Sequence, residues 1–262
     1  MIDIHCHILP GIDDGPGTMD ESLEMCRIAA SDGIKTIVAT PHFNPGRYEP
    51  HSAEVFKLIN ALQARVNEEG LDIRILPGAD VSITPELQAQ LKSEMHLTIN
   101  KKGKYIVLEF PSAYILPNWK EFLLSLLDFG IVPIISHPER NAWFINHPRA
   151  LFPVVRQGVI VQITGMSVTG EFGDDARRCS IFLLKNNLAH VIATDAHSST
   201  YRSPLLTNAV SAAADLIGKD RAQALVTSIP RAIIEGKPVV LPEPFEPPEE
   251  KKGWLKKIIN RI

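Results

Sequence analysis

The sequence predicts an α/β fold, a single barrel built on parallel strands. Three observations predict it. Short Val/Ile/Leu-rich runs alternate with helical patterns along the chain. The runs are continuously apolar rather than alternating, as strands covered on both faces are. Histidines and carboxylates recur where those runs end, and in a parallel barrel every strand end opens on one face.

The strands are expected at residues 2–5, 36–39, 73–77, 105–110, 132–136, 159–164 and 191–194. Helical patterns fill the intervals at 22–31, 52–69, 85–92, 118–128, 149–156, 174–186 and 205–217, with Gly33 and Gly70 placed to stop the first two. A chain of 262 residues that is 45% hydrophobic can bury one sizeable core. The barrel is expected over 1–240. Residues 241–250 are rich in Pro and Glu and read as a linker. Residues 251–262 form a short basic amphipathic tail. Trp254, Leu255, Ile258, Ile259 and Ile262 share one helical face, and Lys251, Lys252, Lys256, Lys257 and Arg261 add positive charge. That pattern suits an anionic membrane surface or a partner protein, and equally a helix packed on the barrel or on a second copy.

Composition narrows the function. A net charge of −3 is unlike that of a nucleic-acid binder. Cys6, Cys26 and Cys179 form neither a CxxC pair nor an even set, so a disulfide framework is not expected, and free thiols fit a reducing cytosol. The N-terminal residues lack the basic and apolar regions of a signal peptide, and the apolar stretch 122–135 is too interrupted to span a bilayer.

The chemistry lies at the strand ends. The first strand ends in His5-Cys6-His7, the second in Thr40-Pro41-His42, and the third runs into Gly78-Ala79-Asp80. The fourth carries Glu109, the fifth is followed by His137-Pro138-Glu139-Arg140, and the seventh by Asp195-Ala196-His197. Residues i and i+2 of a strand point to the same side, so His5 and His7 can reach one ion, and Asp195 and His197 repeat the spacing. Mixed imidazole and carboxylate donors suit Mn²⁺, Fe²⁺ or Zn²⁺, and a carboxylate such as Glu109 can bridge two ions. Any one of these histidines alone reads as a core or surface residue. So many at strand ends read as a metal centre. His51, His96, His147 and His190 lack that context and read as structural or solvated. Asp14, in Asp13-Asp14-Gly15, is either part of a turn or a ligand or general acid above the metals. Arg140 and Arg202 are placed to grip a phosphate, their alternative being surface ion pairs, and Arg47 is a weaker candidate on a loop.

Two other phosphate chemistries are excluded. A cysteine phosphatase needs an arginine six positions after its thiolate, where this chain has Ile12, Asp32 and Lys185. No GxxxxGK[ST] loop is present.

Together, the segment 1–17 (MIDIHCHILPGIDDGPG), Ala39-Thr40-Pro41-His42, Leu108-Glu109-Phe110-Pro111, 136–140 (SHPER) and 193–197 (ATDAH) resemble the polymerase-and-histidinol-phosphatase (PHP) superfamily. Within it they resemble the bacterial manganese-dependent tyrosine-protein phosphatases of capsule and exopolysaccharide loci, the CpsB type. The likeness runs over roughly residues 1–240. It implies a distorted seven-stranded (βα)7 TIM-like barrel holding two to three ions, Mn²⁺ foremost with Fe²⁺, Zn²⁺ or Mg²⁺ as alternatives. One ion would take His5, His7, Glu109 and Asp195, a second Asp80, Glu109 and His137, and a third Asp14, His42 and His197. Arg140 and Arg202 would hold the phosphate. The implied substrate is phosphotyrosine on the tail of a membrane-associated bacterial tyrosine kinase, met in the cytoplasm at the inner face of the membrane. A homo-oligomer is compatible with this reading. The family usually has glutamate where this chain has Asp80; being a methylene shorter, Asp80 either ligates from a closer strand or acts through water. A small-molecule phosphoesterase of PHP type, acting on histidinol phosphate or similar, is the alternative enzyme, and a non-catalytic binding module the alternative outside enzymes.

Overall fold

The computed structural model describes residues 1–84, 87 and 97–246. The helix expected at 85–92, His96, the last four residues of the expected linker and the tail 251–262 lie outside them.

Among the described residues nine strand segments run in chain order: β1 (Ile2–Cys6), β2 (Thr36–Ala39), β3 (His42–Phe43), β4 (Arg74–Pro77), β5 (Asp80–Ser82), β6 (Tyr105–Glu109), β7 (Val132–Ser136), β8 (Ile160–Thr164) and β9 (Val191–Ala193). All pairings are parallel, in the orders β1-β2-β4 and β3-β5-β6-β7-β8-β9. β1 and β8 are buried along their whole length, which is why their sequences read as unbroken apolar runs with polar residues only where the site needs them.

The expected second strand is really a path in two pieces, β2 and β3, and the third likewise divides into β4 and β5. Pro41 cannot donate a ladder hydrogen bond, but its carbonyl accepts from the Asp80 N–H at 3.1 Å. At Gly78 the backbones approach closely: a Cβ there would lie 2.7 Å from Val38 Cγ1. The two breaks put His42 and Asp80 on new, register-matched segments, His42 opposite Asp80. The far edges of the two sheets also meet. The Asp195 N–H donates to His5 O at 2.8 Å, and the His7 N–H to Ala196 O at 2.9 Å. Buried Asp3 accepts from the Thr194 N–H at 3.0 Å, tying β1 to the end of β9.

Helices cover the outside. Ser52–Glu68 buries Val55, Ile59, Leu62 and Val66, the spacing of one helical face. The first helix begins at Met19, three residues before the expected start, because Thr18 caps it by accepting from the Glu21 N–H. The last long helix, Thr207–Ile217, starts two residues late, where Asp32 accepts from the Leu206 and Thr207 N–H groups. The helix expected at 149–156 is a 3-10 turn, Pro148–Leu151, followed by Phe152–Val155. Pro148 and Pro153 each fit a first helical turn and so split one helix into two. The short helices Ala142–Asn146, Gly165–Thr169, Lys219–Ala224 and Ser228–Glu235 carry too few periodic residues to be foreseen. Residues 241–246 have no regular structure yet are tethered, through Phe245 N–H to Asn186 O and Asn187 to Glu243 O. This stretch of the expected linker is therefore a strap on the body rather than a free spacer. Among the described residues no helix is long and apolar enough to cross a membrane.

Candidate metal centre

His5 lies on β1 and His7 just past its end. Their Nε2 atoms sit 3.2 Å apart. The outer nitrogens are each held by an acceptor: His5 Nδ1 by Gln162 Oε1 at 2.9 Å, and His7 Nδ1 by Asp13 Oδ2 at 2.7 Å. With Nδ1–H donating outward, both Nε2 atoms carry lone pairs aimed at one place. Two lone pairs at that distance repel unless a cation or proton lies between them, and an acceptor behind a ligating histidine is the usual arrangement at metal sites.

The other donors close around this pair. Asp195 Oδ1 is 3.4 Å from both His5 Nε2 and His7 Nε2. Asp80 Oδ2 is 3.6 Å from His5 Nε2 and 3.4 Å from His42 Nδ1. Glu109 faces His42 at 3.6 Å and His137 at 3.7 Å. Asp14 Oδ1 is 3.4 Å from His42 Nε2 and 3.3 Å from His197 Nε2. Four sets of donor atoms are compact enough to hold an ion: His7, Asp14, His42 and His197; His5, His7 and Asp80; His5, His137 and Asp195; and His42, Asp80 and Glu109. They share members, as a centre of several adjacent ions requires.

The donors fit metal ions on three further grounds. Buried Asp80 Oδ2 has no hydrogen-bond partner among the described residues, an expensive arrangement for a carboxylate without a cation. Burial pulls His42 down, yet Asp14 and Asp80 drive it up to about 11. Burial and the neighbouring Asp80 push Glu109 up to about 7. The carboxylates thus crowd together and draw in positive charge. His137 and Asp195 also hold left-handed backbone conformations, φ 31° and 50°, which cost about 1–3 kcal/mol each and gather at working sites.

The centre opens into a cleft of about 180 Å³, whose rim includes Asn44, Arg47, Tyr48, Arg140 and Arg202. Arg140 Nη1 and Arg202 Nη2 both bond Asp195 Oδ2. The Arg202 Nε–H is buried and has no partner among the described residues, so this guanidinium keeps a donor to spend. Phe172 lies under both arginines, its ring centre 4.4 Å from the Arg140 Cζ and 5.7 Å from that of Arg202. On the other side Tyr48 stacks on His42, with Arg47 over its ring.

The structure brings together His5, His7, Asp14, His42, Asp80, Glu109, His137, Asp195 and His197, with Arg140 and Arg202 beside them. Their grouping differs from the expected one. Glu109 falls with His42 and Asp80, and His137 with His5 and Asp195, because the break before β5 moves Asp80 in between. The shorter side chain of Asp80 comes within 3.6 Å of His5 Nε2. Glu139, in the same segment as His137, faces away and accepts from the Thr164 N–H at 2.8 Å. His190 is a buried structural residue whose Nδ1 accepts from the Val161 N–H. Sequence reasoning missed Asp13, Gln162 and Phe172 as parts of the site. The Asp-Asp pair was a visible signal for the first. A glutamine in an apolar strand was a weak one for the second, and nothing marked the third.

Parallel strands with imidazole and carboxylate donors at one end define the class: an α/β protein with a candidate metal centre where its strands end. Residues 1–235 match the family model for capsular polysaccharide synthesis proteins, CpsB/CapC, and the chain belongs to that family. It is 40% identical over 204 residues to the tyrosine-protein phosphatase YwqE of Bacillus subtilis, covering 78% of this chain and 80% of that protein. It superposes on a crystal structure from work on YwqE and on CpsB of Streptococcus pneumoniae, described as metal-dependent tyrosine phosphatases. There the TM-score is 0.89 at 33% identity, over 95% of this chain and all of the other. A histidinol phosphate phosphatase from Lactococcus lactis, solved with zinc, histidinol and phosphate, shares the fold at TM-score 0.56 and 18% identity, over 83% of this chain and 92% of that one.

Proposed function

We propose that the chain is a metal-dependent protein-tyrosine phosphatase that hydrolyses phosphotyrosine on a bacterial tyrosine kinase governing capsule or exopolysaccharide synthesis. The observation that carries the reading is one cluster of nine metal-type donors, six of which line a cleft with Arg140 and Arg202. His5, His7, Asp14, His42, Asp80, Glu109, His137, Asp195 and His197 would hold two to three ions, Mn²⁺ being our preferred metal among Mn²⁺, Fe²⁺, Zn²⁺ and Mg²⁺. The ions supply Lewis acidity and a water made nucleophilic at neutral pH.

The chain's own residues do the rest. Arg140 and Arg202 bind and orient the phosphate, whose developing charge their planar groups match. Asp14 is held well below the usual carboxylate range by His197 and His42. We read it as a ligand rather than a general acid because it closes one donor set with His7, His42 and His197. A phenol with a pKa near about 10 leaves without one. Tyr201, next in sequence to the rim residue Arg202, is well exposed, a surface that suits a peptide. The basic tail 251–262 would keep the protein near a membrane-bound kinase; co-sedimentation of the full chain with anionic liposomes, lost on deleting the tail, checks this.

The deciding experiment compares a phosphotyrosine peptide with histidinol phosphate on protein whose metal content has been measured. We expect kcat/KM to favour the peptide by at least about a hundredfold and dialysis against a chelator to abolish activity. The opposite preference would transfer the site to small-molecule phosphoesters. Full activity in metal-free protein would remove the metal from the mechanism.

A further inference from the structure

At the other end of the strands, the beginnings of β1, β2 and β4 and the helix Ser228–Glu235 line an open cavity of about 520 Å³, larger than the metal cleft. Five cationic side chains line it, Lys35, Arg74, Lys102, Arg231 and Lys237, against one carboxylate, Glu235. Lys35 pairs with Asp72 at 2.9 Å and Lys237 with Glu235 at 2.8 Å. Among the described residues Arg74, Lys102 and Arg231 make no ion pair. The protein as a whole carries a net charge of −3, so this concentration runs against the average. The five side chains are exposed, yet like charges gathered along one concavity repel one another. An anion relieves that repulsion.

The size is within the range of small-molecule sites, roughly 300–1,000 Å³. Among the described residues no aromatic side chain lines it, and Ile2, Leu76 and Ile234 supply the apolar wall. We propose that this cavity binds a small polyanion bearing two or more phosphate groups, held by Arg74, Lys102 and Arg231. A five-residue strand at about 3.3 Å per residue separates it from the metal centre by roughly 15 Å. A ligand held there does not reach the metal centre, and the proposal stands independently of the reaction at that end.

The test is fluorescence anisotropy of pyranine, a trisulfonated dye that does not strip metal, titrated with the metal-loaded protein at low salt. We expect one saturable site, displaced by pyrophosphate more readily than by citrate. Arg74→Gln with Arg231→Gln should weaken it by about tenfold or more, with phosphatase activity unchanged. Lys102→Gln alone should weaken it less. Arg140→Ala with Arg202→Ala should leave it intact. Absence of saturable binding overturns the proposal, as does binding that survives the Arg74/Arg231 pair or is lost only with the Arg140/Arg202 pair. Displacement by citrate in preference to pyrophosphate overturns the phosphate assignment.

Discussion

Asp13 brings no donor atom to the metal centre, yet one of its oxygens reaches both the His7 ring at 2.7 Å and the His42 backbone N–H at 3.0 Å. Its other oxygen holds the Gly15 N–H at 2.9 Å, where a Cβ would lie 2.5 Å from His7 O. It therefore sets the tautomer of His7 and the position of His42. Gln162 does the same for His5. Losing such a supporting acceptor typically costs 10–100-fold in metal affinity. Asp13→Ala and Gln162→Leu should each weaken Mn²⁺ binding by about that factor, as read by competition with a chelating dye, with the circular dichroism of the wild type. Phe172 supports the arginines instead. A ring facing guanidinium groups contributes about 0.5–2 kcal/mol. Phe172→Leu should raise KM for an aryl phosphate about three- to tenfold with kcat and metal content nearly unchanged, and Phe172→Trp should restore it. A fall in kcat alone would assign Phe172 to another step.

Two interrupted strand paths give the site its shape. Had β2 and β4 continued without a break, His42 and Asp80 would have kept the alternation of regular strands. The interruptions at Thr40-Pro41 and Gly78-Ala79 reset it, so that both side chains face the donors of β1. Gly78 permits this because a side chain there would strike Val38. Gly78→Ala should cost about 1–3 kcal/mol, lowering the urea midpoint at an unchanged slope, and should loosen metal binding through Asp80. If stability falls while metal affinity holds, the break matters for packing alone. β1 and β9 are joined in a comparable way, through buried Asp3 and Thr194.

Across the whole molecule the reactive groups are sorted by burial. The three thiols are all buried. Burial raises Cys6 well above the ordinary thiol range, raises Cys179 likewise, and pushes Cys26 up to about 12. A raised pKa favours the neutral thiol, so thiolate appears only as pH climbs towards those values, and the thiolate is the nucleophile. Iodoacetamide at pH 7.5 should therefore leave phosphatase activity intact over hours. Rapid loss, with mass added at Cys6, would point to an open state in which β1 separates from β9.

The sequence by itself determined the parallel α/β class, most strand positions and the residues that meet at the site. Each of these follows from local pattern: buried strands must be apolar throughout, and imidazoles and carboxylates recurring at strand after strand end point to a shared cation. Tertiary structure alone decided the two strand breaks, the sharing of donors among sets, the arginine–Phe172 contact and the supports behind His5 and His7. It alone gathered five cations into a cavity at the opposite end. Those features join residues as far apart as His5 and Gln162, or Arg140 and Phe172. Their geometry depends on how the strands close on one another, and the spacing of residues along one chain carries no record of that.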